Sequence, residues 1–152
     1  IACSFAPSAI RRSVMDNKPT PALYAGAAPD EDAFLALAEA ALAAMPDAFR
    51  PHIAGLLLSI EDVADAETLA AMEIEHPYDL TGLYSGRPLT QKSVEESGAM
   101  PDVVTLYRLP ILVEWVETGE RLDHLIRHVL IHEIGHHFGF SDEDMHAIED
   151  GI

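Results

Sequence analysis

At 152 residues the chain has the size of one domain, and with 49% hydrophobic residues it can bury a core. Its formal charge of −17 argues against nucleic acid and anionic membrane surfaces as partners, both of which call for a basic face. The single cysteine, Cys3, excludes an intramolecular disulfide and any all-cysteine zinc site, so a metal would have to be held by His, Asp and Glu.

Residues 1–29 carry Pro7, Pro19, Pro21 and Pro29 among many small residues and read as a disordered or loosely packed leader. Residues 1–14 hold Arg11 and Arg12 and no acid, so residues 15–152 carry about −19, from 7 basic and 26 acidic side chains. Met15 has the look of a natural start, which would make 1–14 a foreign remnant or an upstream extension. No continuous apolar stretch of the secretory kind stands there, and no run of ~18 apolar residues occurs anywhere. The default expectation is therefore a cytoplasmic protein.

From residue 30 the pattern becomes regular. Asp30 offers an N-cap, Glu31 and Asp32 follow in the first turn, and Phe34, Leu35, Ala38, Ala41, Leu42 and Met45 recur at helical spacing up to Pro46. Residues 53–60 (IAGLLLSI) form a short apolar run that suits a buried strand. An acidic loop over 61–65 leads to a short helix over 66–74, which stops before His76-Pro77. Residues 81–90 (TGLYSGRPLT) read as a hairpin or edge strand turning at Ser85-Gly86, and 103–108 (VVTLYR) as another strand. Pro110 opens a helix that ends near Gly119, with Trp115 as a core residue. The longest helical pattern runs from about Glu120 to Phe138, with Leu122, Leu125, Ile126, Val129, Leu130 and Ile134 on its apolar face and Gly139 closing it. A last short helix over 142–149 takes Ser141 as its cap. The order αβαββααα predicts one α+β domain over residues 30–152.

The chemistry concentrates in HEIGHHFGFSD, His132 to Asp142. His132 and His136 stand one turn apart on a single helix face, where two imidazoles can reach one zinc ion at ~2.0–2.1 Å. Glu133 sits one step round the helix, in reach of a water on the metal, whose pKa zinc lowers towards ~7. There it can act as general base and return the proton to a leaving amine. A catalytic zinc takes three protein ligands and keeps one position open. Only 16 residues follow His136, which leaves little room for a ligand on a distant helix. Gly139 permits a sharp turn and Asp142 follows, completing an H-E-x-x-H-x-x-G-x-x-D pattern with Asp142 as third ligand. His146 and Glu149 are the alternatives.

Other residues carry less signal. His124, His128, His132 and His136 all lie at i, i+4, but pairing His128 with His132 would put Val129 where the base belongs. His124 and His128 therefore read as ordinary polar or buried positions. His137 lies about 100° from His136 and should face away from the metal. Tyr84, Tyr107 and Arg108 are candidate oxyanion stabilisers, although core or edge packing explains each as well. Met145 follows Asp142 too closely for a Met-turn under the metal, and helix packing explains it better. The GRP at 86–88 reads as a turn.

Three stretches, LTGLYSGRPLT (80–90), PDVVTLYRLPI (101–111) and HEIGHHFGFSDEDM (132–145), resemble the small bacterial zincin-like metallopeptidases, described as minimal metzincin-like proteins, over roughly residues 30–150. The resemblance implies a compact zincin-like fold with its active helix near the C-terminus. It carries zinc ligation onto His132, His136 and Asp142 and the base role onto Glu133. Two functions are compatible with these residues. One is a peptidase acting on a peptide or protein substrate that pairs with an edge strand from 81–90 or 103–108. The other is a metal-binding interaction or regulatory module without turnover. A metal that mainly staples the C-terminal helices is a third use of the same residues.

Overall fold

The computed structural model describes residues 2–4, 27–86 and 101–150. Most of the leader and the 87–90 end of the expected hairpin, with Arg87 and Pro88, lie outside them. The elements are β1 (Ala2–Ser4), α1 (Glu31–Ala43), α2 (Arg50–Ile53), β2 (Leu57–Glu61), α3 (Ala66–Ala71), β3 (Leu80–Ser85), β4 (Val103–Tyr107), α4 (Arg108–Thr118), α5 (Leu122–Phe138) and α6 (Asp142–Asp150). The fold is α+β. Its mixed sheet has the order β1-β3-β4-β2, with β4 parallel to β2 and antiparallel to β3. No helix among the described residues is long and apolar enough to cross a membrane.

Several local expectations shift. The apolar run 53–60 splits: Pro51 sits in the first turn of α2, Gly55 takes a left-handed φ of 83°, and the strand starts only at Leu57. Helix α3 ends three residues early because Glu73 itself turns left-handed, with φ 56°. Helix α4 begins at Arg108, which leaves Pro110 inside the first turn, where its missing N–H costs nothing. At the start of the leader, Ala2–Ser4 pairs antiparallel with Leu80–Leu83 as an added strand. Three residues are too few to show a periodicity, and such pairing rests on backbone groups that no side-chain pattern announces. Strand β4 lies in the middle of the sheet, so 103–108 offers no free edge to a peptide, and β3 is flanked by β4 and β1.

The core explains where α5 sits. Leu125, Ile126, Val129, Leu130, Ile131 and Ile134 of this helix are all buried, against Phe34 and Ala38 of α1, Ile111 of α4 and Val104 and Leu106 of β4. Each large aliphatic side chain contributes about 1.5–3 kcal/mol by leaving water. A smaller cluster joins Ala64, Leu80 and Tyr107 with Leu69 of α3. Gly82 lets β3 approach α5 closely. A Cβ there would stand 2.5 Å from Val129 Cγ1 and 3.1 Å from Glu133 Cγ, with both neighbours packed in the interior. Gly82→Ala is therefore expected to destabilise the protein by about 1–3 kcal/mol through overpacking. Urea denaturation checks this; an unchanged midpoint would mean that β3 and α5 part at no cost.

Candidate metal centre

Helix α5 carries the central residues, and its C-terminal turn sets the direction of the chain beyond it. Gly139 adopts φ 78°, and the Phe140 N–H donates to the Gly135 carbonyl at 2.9 Å, so the chain reverses within two residues. Ser141 then opens α6. Its Oγ accepts from the Asp144 N–H at 3.2 Å, and its own N–H donates to Asp144 Oδ2 at 3.1 Å. The Ser141 hydroxyl, which donates to Asp144 Oδ2 at 2.6 Å, and after it the Ser141 N–H hold the Asp144 carboxyl below the usual carboxylate range, and the cap fixes Asp142 at the first helical position. Met145 is fully buried and packs where a side chain on Gly135 would otherwise be, which docks α6 onto α5. Met145 thus serves helix packing.

The result brings three separated residues together. One ligand-capable atom each from His132, His136 and Asp142 lies within 4.8 Å of the others. The imidazole rings of His132 and His136 are 5.7 Å apart, centroid to centroid. His132 is 8% exposed, and its Nε2 has no hydrogen-bond partner. A buried nitrogen without such a partner costs stability unless something else satisfies it. Two imidazoles and a carboxylate are the donor set that zinc takes, so these residues fit that ion.

Electrostatics point the same way. Burial, and after it the neighbouring His128, holds the His132 imidazole below its ordinary pKa of 6.5, against the opposing pull of Glu149. The ring stays neutral, which is the form that ligates a metal. The unfolded chain takes up this proton near 6.5, while folded His132 resists it to lower pH. In that window the unfolded state binds more protons, so stability falls as pH drops through 6.5. Urea midpoints of metal-free protein are expected to decline between about pH 7.5 and 5.5, less steeply for His132→Gln. Equal slopes in the two proteins would assign the decline to other groups.

Glu133 occupies a different environment. It is 1% exposed, and its Oε2 accepts a hydrogen bond from the Tyr84 N–H at 3.0 Å. Strand β3 therefore orients this carboxylate. No sequence pattern announces the bond, because it joins residues 49 positions apart.

The remaining candidates find structural partners. His137 stacks on the Tyr84 ring at 3.8 Å between centroids and is absent from the metal-capable groups. Burial, with the nearby Asp102 carboxylate, pushes the Tyr84 phenol well above its usual range, and burial pushes Tyr107 up to about 12. Tyr107 belongs to the smaller core, and Arg108 pairs with Asp62 at 2.6 Å and with the Pro29 carbonyl at 3.1 Å. His146 Nδ1 lies 2.7 Å from the Asp142 carbonyl oxygen, so it braces the first turn of α6. His124 approaches Glu120 at 3.3 Å on the surface. His128 does more than the sequence suggests: its Nδ1 hydrogen-bonds Glu149 Oε1 at 2.6 Å, and the same oxygen is 3.9 Å from His132 Nε2. The i, i+4 run of histidines was the available signal, and the missing part was Glu149, which only the α5–α6 turn brings alongside.

A sequence model described as zincin-like metallopeptidase matches residues 53–152, from the end of α2 onward. No curated protein matches the chain.

Proposed function

Because the chain belongs to the zincin-like metallopeptidase family, we propose that it is a zinc-dependent peptidase in which His132, His136 and Asp142 hold one zinc ion and Glu133 is the general base. The observation that carries this reading is the convergence of those three ligand-capable residues beside Glu133 at the end of α5. When bound, zinc polarises the scissile carbonyl and acidifies water. Glu133 takes the proton of the attacking water and delivers it to the leaving amine, the usual route by which a carboxylate assists hydrolysis. The Tyr84 N–H holds one oxygen of that carboxylate at a fixed position, so no reorientation is needed when the proton moves.

One observation favours the rival reading of a metal-binding module without turnover. A carboxylate that is 1% exposed and tied to a backbone N–H also does structural work, joining β3 to α5. Metal analysis of the purified protein, paired with a peptide-library cleavage assay on wild type and Glu133→Gln, separates the two. One zinc per chain with cleavage that chelation abolishes supports the peptidase. Zinc without any cleavage supports the module.

A further inference from the structure

Helix α5 presents His128, His132 and His136 at successive turns, and His132 stands in the middle. It belongs to two groups of ligand-capable residues. The first is the trio it forms with His136 and Asp142. The second is His128, His132 and Glu149, whose ligand atoms also lie within 4.8 Å of one another. We propose that this second trio is a distinct divalent-cation position, one helical turn upstream, which competes with the first for His132.

Three observations carry the proposal. The geometry is near what an ion needs. Ligand atoms around a tetrahedral zinc at ~2.1 Å stand ~3.4 Å apart. Glu149 Oε1 lies 2.6 Å from His128 Nδ1 and 3.9 Å from His132 Nε2, so shifts of less than about 1 Å bring each of these two pairs to ligand spacing. His132 Nε2 supplies the second observation. It is buried, without a hydrogen-bond partner, and turned towards the Glu149 carboxylate. The third is access. His128 and Glu149 line an open cavity of about 390 Å³, with Glu114, Glu120 and His124 on its walls. Three carboxylates there outnumber the single guanidinium of Arg127, so the cavity favours cations over anions.

Competition follows from the chemistry of imidazole. A neutral ring has one lone pair to give, so His132 serves one ion at a time. The consequence rests on the peptidase reading. In the upper position, Val129 takes the place that Glu133 holds relative to the lower pair, and an alkyl group accepts no proton. An ion there withdraws a ligand from the hydrolytic site and brings no base of its own. Excess zinc is thus expected to populate an idle state.

Zinc binding tests the site without reference to hydrolysis. In His136→Ala/Asp142→Ala the lower position is gone, and titration against a chromophoric chelator is expected to show one zinc still bound per chain. Adding Glu149→Gln, or separately His128→Gln, is expected to weaken that binding at least ~10-fold. Circular dichroism identifies any variant that fails to fold, and the two additions are alternatives for this reason. A double variant that takes up no zinc, or one whose affinity neither addition changes, overturns the proposal. A wild type that binds zinc and never cleaves peptide sinks the peptidase reading and leaves the upper position standing.

Discussion

Glu133→Gln is expected to keep its zinc and lose peptide hydrolysis by at least ~10²–10⁴-fold. The amide has the size of the carboxylate, and its oxygen can still accept the Tyr84 N–H that Glu133 Oε2 accepts at 3.0 Å. The link between β3 and α5 therefore survives, and the change isolates basicity from structure. An amide nitrogen cannot take a proton from water at neutral pH, so only the proton-transfer step is removed. Zinc content should match wild type because Glu133 is outside the ligand trio. Turnover within a few-fold of wild type would rule out the proposed base. Glu133→Ala is the poorer variant, since it leaves a buried Tyr84 N–H without this partner and costs ~1–3 kcal/mol for that reason alone.

Asp142→Ala is expected to reduce zinc affinity by more than ~100-fold, since even residues that only support a ligand contribute 10–100-fold. The fold should change little. Asp142 is exposed, the cap of α6 is formed by Ser141 and Asp144, and a first-turn carboxylate contributes under about 1 kcal/mol to a helix. Zinc titration and urea denaturation of the same variant separate the two effects. If Asp142→Ala costs little and Glu149→Gln costs 100-fold, the third ligand is Glu149 and the lower trio is the wrong one. That outcome would also move the metal away from Glu133 and weaken the peptidase reading with it.

Local patterns account for much of this molecule. The apolar spacing from Leu122 to Ile134, with Gly139 behind it, locates α5 to within two residues, and the Asp30 and Ser141 caps mark the starts of α1 and α6. The departures are also local in origin. Residues 53–60 look uniformly apolar, yet a left-handed Gly55 divides them into a helical turn and a later strand. The strand at 103–108 is legible, but its place between β2 and β3 is not, because strand order depends on pairings far apart in sequence.

For the site, the relation of His132, Glu133 and His136 is legible from their spacing. Helical pitch places residues four apart on one face, and that holds wherever the helix is packed. The tertiary structure decided everything that depends on a second element. It brought Asp142 beside the two histidines through the turn at Gly139, and it tied Glu133 to the backbone of β3. It also set Glu149 against His128, a residue that spacing alone leaves as ordinary. These contacts close over 6 to 49 positions of chain and join separate elements, which no period of 2 or 3.6 residues within one element can do. Packing of α6 through Met145 and of β3 through Gly82 supplies the missing geometry.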